Sequence, residues 1–92
     1  MNWEKSINNF KSYLKIERSL SENSIQAYIR DINKLANHAI HLEKNPLQVS
    51  KDNITDFLQK LNNDKISARS QARILSGIKA FYKYLIMEDY IQ

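Results

Sequence analysis

The stretch SARSQARILSGIKAFYKYL, residues 67–85, is the clearest indication of how this 92-residue chain folds. Its apolar side chains recur at spacings of three and four, which is the period of an amphipathic helix. The members of this stripe are Ile74, Leu75, Ile78, Phe81, Tyr82, Leu85 and Ile86. Ser67 can cap the first turn, because a serine hydroxyl accepts a backbone N–H there. The pattern therefore predicts a long helix over 67–87, with this stripe turned towards a core.

Three further helices are predicted upstream. The first has the stripe Trp3, Ile7, Phe10 and Leu14 and ends near Glu17, with Trp3 and Met1 packing it against the rest of the chain. Residues 18–20 connect it to a second helix capped by Ser21. The apolar stripe of the second helix is Ile25, Tyr28, Ile29, Ile32, Leu35, Ala36, Ala39 and Ile40.

The third helix follows a loop that Pro46 marks. Ser50 can cap it, residues 62–64 end it, and its buried side chains are Ile54, Phe57, Leu58 and Leu61. No segment alternates apolar and polar residues long enough to predict a strand. The expected fold is therefore all-α, a compact orthogonal bundle of four helices in one domain over residues 1–92.

Composition narrows the classes of function. The chain has no cysteine and a single glycine, so it offers neither a thiolate metal site nor a glycine-rich phosphate loop. His38 and His41 are expected to be surface histidines without a metal, and the helical tyrosines to pack with their hydroxyls at the surface. No apolar run approaches the roughly 20 residues that a membrane span needs. We expect no cofactor, no membrane contact and a cytoplasmic location.

The positive charge is concentrated in the last third of the chain. Residues 1–64 carry nine Lys/Arg and eight Asp/Glu, whereas residues 65–87 carry five cations and no acid. At about 100° per residue, the helix over 67–87 presents a cationic face of small and basic residues opposite its apolar stripe. This face comprises Arg69, Ala72, Arg73, Ser76, Lys79, Ala80 and Lys83. It suits the major groove of DNA, although an ordinary solvated helix face would look the same.

The second helix has a polar face of its own. Its members are Asn23, Gln26, Ala27, Arg30, Lys34, Asn37 and His41. Asn, Gln and Arg can pair with base edges, and the free N–H groups at the helix starts near Ser21 and Ser67 can contact phosphates. Surface polarity and simple capping explain the same residues, so the pattern alone leaves both interpretations open.

Two stretches together resemble a known family. LSENSIQAYIRDI, residues 20–32, and SARSQARILSGIKAFYKYL, residues 67–85, are similar to the second and fourth helices of the N-terminal core-binding domain of XerC/XerD-type tyrosine recombinases. The resemblance covers essentially the whole chain. It implies a SAM-like bundle whose second and fourth helices meet the major groove of a recombination half-site, and a catalytic domain that follows near residues 89–92.

The resemblance extends the DNA-contact prediction to Ser24 and Gln71. With the two faces, the predicted DNA-binding residues are Ser21, Asn23, Ser24, Gln26, Arg30, Lys34, Ser67, Arg69, Gln71, Arg73, Ser76, Lys79 and Lys83. The family pattern also includes Tyr28, which we expect to pack first because it lies on the apolar stripe. Tyr90 is not expected to be the family's nucleophile.

These expectations define the partners and one alternative. Double-stranded DNA is the expected partner, with other recombinase protomers in a full-length parent, and the chain alone is expected to be a monomer without catalytic activity. The prediction requires that Arg69, Arg73 and Lys79 are not held in intramolecular ion pairs. The alternative is a helical protein-interaction domain that does not bind DNA.

Overall fold

The structure is a computed structural model that describes residues 2–88. Met1 and Tyr90, whose roles were predicted above, lie outside the described residues. The helices are α1 (Trp3–Ile16), α2 (Glu22–His41), α3 (Lys51–Asn63) and α4 (Ala68–Met87). No strand occurs within the described residues, so the prediction of an all-α fold with four helices is confirmed.

Each helix begins at a residue whose side chain caps it. Ser21, Ser50 and Ser67 accept backbone N–H groups from the residues three positions later, which confirms the predicted helix starts. Asn2 does the same for α1. At Ser50 the cap is reciprocal, since Asn53 also accepts the backbone N–H of Ser50 at 2.9 Å. These contacts satisfy donors that have no partner inside the helix.

A residue with left-handed backbone conformation follows each of the first three helices. Ser19, Glu43 and Lys65 follow α1, α2 and α3 with φ of 51°, 57° and 64°. Glycine is the usual residue in this conformation, because a Cβ atom raises its energy. The single glycine of the chain, Gly77, lies instead in the middle of α4.

The segment around Pro46 is more ordered than the predicted loop. Residues Pro46–Gln48 form a short 3-10 helix that Asn45 caps. The hydroxyl of Tyr82 donates a hydrogen bond to the Pro46 carbonyl at 2.7 Å, and burial raises the pKa of that hydroxyl above its ordinary value. The expectation of a surface hydroxyl is therefore wrong for Tyr82, because the connection folds back over α4.

Aromatic residues of α1 and α4 form the centre of the core. Phe10 and Phe81 are fully buried with ring centroids 5.4 Å apart. Trp3 stacks on Phe81 at 6.0 Å, and its indole N–H donates to the Lys44 carbonyl at 2.9 Å. The predicted packing role of Trp3 is confirmed. Tyr28 is half-buried with its ring edge-on to Phe10, so the expectation that it packs first is also confirmed.

Two side chains of the predicted apolar stripes are more exposed than expected. Ile40 and Ile86 remain 56% and 52% exposed although they belong to the predicted apolar stripes. Both lie one residue before the end of a helix, where periodicity continues but neighbouring helices no longer cover the face. Tyr84 is only 6% exposed and packs beside Tyr13, with ring centroids 4.8 Å apart. Its ring packs as expected for the helical tyrosines, because α1 lies against this side of α4.

Helix α2 lies at the centre of the bundle and contacts the other three helices, most extensively α4 and then α1. This position gives α2 a groove on either side of its outward face. Within residues 2–88, no helix combines the length and the apolar character that a bilayer crossing requires.

Candidate nucleic-acid interface

The outward face of α4 carries exposed cations. Burial of Ile74, Ile78, Phe81 and Leu85 fixes the rotation of the helix. The opposite side then exposes Arg69, Ala72, Ser76, Lys79 and Lys83. Arg69, Lys79 and Lys83 form no ion pair with any residue that the structure describes. Because α4 contains no acid, these three cations have no acidic neighbour on their own helix.

The outward face of α2 is fixed in the same way. Ile25, Ile32 and Leu35 are buried, which turns the predicted polar face to solvent. Asn23, Gln26 and Arg30 are exposed, and Lys34 is half-buried. The sequence therefore placed these side chains on the correct side of the helix; their contact with DNA stays a prediction.

A groove joins the two helices. Its lining residues are Ser24, Ala27 and Tyr28 with Asp31 of α2, and Arg73 with Ser76 of α4. Gly77 lies at this contact between the helices; a Cβ atom at this position would lie 3.7 Å from Tyr28 Cδ1, an ordinary van der Waals distance. The structure thus brings Ser24 of α2 beside Arg73 and Ser76 of α4, although Ser24 is far from them in sequence.

Arg73 requires a correction. The sequence analysis required that this cation stay out of intramolecular ion pairs, but its guanidinium is paired with Asp31. Nε donates to one carboxylate oxygen at 3.0 Å and Nη2 donates to the other at 3.1 Å. The Asp31 side chain is 2% exposed and that of Arg73 is 48% exposed. Residues 65–87 contain no acid, so charge counting along the segment missed a counter-ion that comes from another helix.

Gln71 is also engaged within the protein. Its side-chain amide donates to the Ile66 carbonyl at 2.8 Å and lies 3.4 Å from the Asn62 side-chain oxygen. These contacts hold the turn between α3 and α4. The prediction that Gln71 contacts DNA is therefore weakened, because its two N–H donors already have partners in the protein.

The serines at the two helix starts share one arrangement. Ser21 and Ser67 each accept the backbone N–H of the serine three residues later, at 3.2 Å. In each case the two hydroxyls are 3.1 Å apart. The hydroxyls of Ser21 and Ser67 are thus used locally, and any phosphate contact there would come from the free backbone N–H groups or from the hydroxyls of Ser24 and Ser70.

A second groove lies on the other side of α2, between α2 and α1. It brings Lys11 of α1 beside Gln26, Arg30 and Lys34 over a floor that includes Ile29. Lys11 was not predicted, because nothing in the spacing of α1 indicates that this lysine faces α2. Asp31 was not predicted either, although an acid at the edge of an apolar stripe could have signalled a buried partner.

The two histidines differ in their exposure to solvent. His41 is exposed, as expected. His38 was also expected at the surface, but its ring packs against Phe57 at 5.4 Å and its Nε2 atom is buried without a hydrogen-bond partner among the described residues. The reason is that α3 covers this side of α2. Over residues 2–88, no group of three or more His, Asp or Glu side chains is arranged to hold a metal.

The chain is similar to known proteins along most of its length. The family model described as "Phage integrase, N-terminal SAM-like domain" matches residues 7–89. Tyrosine recombinase XerD of Rickettsia bellii is 36% identical over 84 residues, which are 91% of this chain and 28% of that protein. Tyrosine recombinase XerC of Anoxybacillus flavithermus is 36% identical over 87 residues, which are 94% of this chain and 29% of that protein.

A third relative is more distant. Tyrosine recombinase XerD of Chlorobaculum tepidum is 30% identical over 86 residues, again 94% of this chain and 28% of the relative. The chain thus spans a little more than a quarter of the length of these relatives. No solved structure matches significantly.

Proposed function

The chain belongs to the phage integrase N-terminal SAM-like domain family, and from that premise we propose that it binds double-stranded DNA for a site-specific tyrosine recombinase. The observation that carries the proposal is the outward face of α4. Arg69, Lys79 and Lys83 are exposed there, on a helix without an acidic residue. The matched relatives are tyrosine recombinases by name, which supports a role in recombination.

The dimensions of α4 suit a DNA groove. A helix of 20 residues is roughly 30 Å long, and a major groove about 12 Å wide admits one helix. Ala72 and Ser76 are small, so the helix axis can approach the duplex while the longer cations reach phosphates. The α2 face beside it, with Asn23 and Arg30, adds side chains that can pair with base edges.

The proposal assigns binding to this domain and chemistry to another part of the parent. Residues 1–92 form the core-binding domain, which would bind one recombination half-site in a sequence-specific manner and position the recombinase on it. Strand cleavage would be carried out by a catalytic domain of the parent, which acts with other protomers on DNA. The parent would serve DNA integration or the resolution of chromosome dimers. The isolated chain would be monomeric, and its DNA partner implies a cytoplasmic location.

A salt titration tests the proposal. Binding of the 92-residue chain to a fluorescent duplex is measured by anisotropy at several salt concentrations, for wild type, Arg69→Ala and Lys79→Ala. Each lost phosphate contact should lower the slope of log K against log salt by about 0.9. Lys51→Ala is the matched control, because it removes an exposed lysine from α3, outside both grooves.

The outcomes are distinct. We expect both α4 variants to bind more weakly than wild type, while Lys51→Ala binds equally well. Equal binding by all four proteins would refute the assigned face. If wild type has no affinity for the duplex even at low salt, the DNA proposal fails, and a nuclease-insensitive protein partner recovered by pull-down would then favour the alternative of a protein-interaction domain.

A further inference from the structure

The ion pair between α2 and α4 leaves part of the Arg73 guanidinium unused. A guanidinium has five N–H donors, and Asp31 takes one from Nε and one from Nη2. The three other N–H groups have no hydrogen-bond partner among the described residues. The side chain is 48% exposed and lines the groove together with Ser24 and Ser76. Donors that remain free at an open groove can bind an external acceptor.

Asp31 restricts where these donors can point. Its carboxylate is 2% exposed, and the guanidinium is its hydrogen-bond partner in the described part of the chain. A buried carboxylate without a partner is costly, so the pair stays formed. Two parallel N–H···O bonds also fix the plane of the guanidinium, which a single contact would not do. Arg73 is therefore held in one orientation before any ligand arrives.

The pair also changes what Arg73 can contribute. Asp31 and Arg73 together carry no net charge, whereas Arg69 and Lys79 have no acidic partner among residues 2–88. Release of counterions from DNA depends on net charge, and reading of base edges depends on donors in fixed positions. Arg69 and Lys79 thus suit sequence-independent affinity, and Arg73 suits discrimination.

We propose that Asp31 is a positioning residue that holds Arg73 as a directed hydrogen-bond donor for base recognition in the α2–α4 groove. The inference rests on the proposed function, since it assigns a role within DNA binding. Under this inference, sequence-independent affinity and sequence preference depend on different residues. Loss of Asp31 therefore reduces sequence preference without reducing binding to random DNA.

The experiment selects bound duplexes from a pool of random sequences, using the 92-residue chain with Asp31→Asn, Arg73→Lys and Lys79→Ala. Affinity for the enriched duplex and for the unselected pool is then measured for each protein. Asp31→Asn should bind the pool at least as tightly as wild type, because it raises the net charge by one. Its preference for the enriched duplex should fall on the order of tenfold, the effect of losing one bidentate base contact.

Two variants keep the test decisive. Lys79→Ala should show the opposite result, with weaker binding to both DNAs and an unchanged preference. Arg73→Lys retains the charge and a contact to Asp31 but lacks the planar fork, so it should also lose preference; it carries the test if circular dichroism shows that Asp31→Asn is unfolded.

Three results would overturn the inference. In the first, Asp31→Asn and Arg73→Lys both retain the sequence preference of wild type. In the second, these variants lose equal affinity for the enriched duplex and for the unselected pool. In the third, wild type binds DNA without any sequence preference. In each of these cases wild type still binds DNA, so the proposal of double-stranded DNA binding survives; the third result would in addition remove its sequence-specific part. A wild type that does not bind either DNA would instead refute the proposed function itself.

Discussion

Replacing Arg73 with alanine should destabilise the domain severely, before any effect on DNA is considered. The variant leaves the Asp31 carboxylate, 2% exposed, without either of the hydrogen bonds at 3.0 and 3.1 Å. Breaking a fully buried pair costs about 3–5 kcal/mol. Since the Arg73 side chain is 48% exposed and water can partly replace it, we expect a loss of about 2–3 kcal/mol.

That loss is large for a domain of this size. At about 0.05–0.15 kcal/mol per residue, the whole free energy of unfolding would be roughly 5–14 kcal/mol. The midpoint of thermal unfolding should fall by roughly 10–20 °C, because 1 kcal/mol corresponds to about 4–8 °C in small domains. A binding assay on Arg73→Ala alone would therefore confuse unfolding with loss of a DNA contact.

Urea unfolding measures this prediction directly. Trp3 is the only tryptophan in the chain and is 7% exposed against Phe81, so its fluorescence reports loss of the core. Lys79→Ala is the control, since an exposed unpaired lysine should change stability by no more than about 0.5 kcal/mol. Asp31→Ala combined with Arg73→Ala should be less destabilised than the sum of the single variants. If Arg73→Ala is as stable as Lys79→Ala, the argument that Asp31 depends on this partner is wrong.

Two further predictions concern α4. Gly77→Ala should raise stability by about 0.5–1 kcal/mol, because alanine favours the helix and its Cβ would meet Tyr28 and Asp31 at ordinary distances of 3.7 and 3.8 Å; a lower melting temperature would contradict this. Tyr82→Phe removes the hydrogen bond to Pro46 and should cost about 1 kcal/mol at neutral pH. Because burial raises the pKa of Tyr82, just above the ordinary value of 10.0 this hydroxyl ionises in the unfolded chain and stays protonated in the folded one. The excess free energy of unfolding of wild type over Tyr82→Phe should therefore shrink there by up to about 1.4 kcal/mol per pH unit. If the difference in free energy of unfolding between wild type and Tyr82→Phe stays constant above pH 10, the assignment of Tyr82 as a buried hydroxyl is refuted.

Periodicity and capping were sufficient to predict the helices. The starts at Ser21, Ser50 and Ser67 followed from local chemistry, since a cap requires only the residue and the turn that follows it. The rotation of α4 followed from its long apolar stripe, which also placed Arg69 and Lys79 on the outside. These are features that a single helix determines by itself.

Contacts between helices were beyond the reach of the same reasoning. The Asp31–Arg73 pair joins residues 42 positions apart, and the hydrogen bond from Tyr82 to Pro46 spans 36 positions. His38 became partly buried because α3 covers one side of α2, and a helical wheel contains no information about which neighbour lies on which side. The candidate site was therefore predicted as two faces, while the ion pair and the position of Lys11 required the packed structure.

The left-handed residues at the ends of α1, α2 and α3 indicate how this domain could adapt to heat. Ser19, Glu43 and Lys65 each bear a Cβ atom in a conformation that costs most residues about 1 kcal/mol or more relative to glycine. All three lie at corners between helices, and none of them lines the α2–α4 groove. A thermophilic descendant could gain robustness by single exchanges at these corners and leave the residues proposed to contact DNA unchanged, so that durability and the proposed target choice could evolve separately.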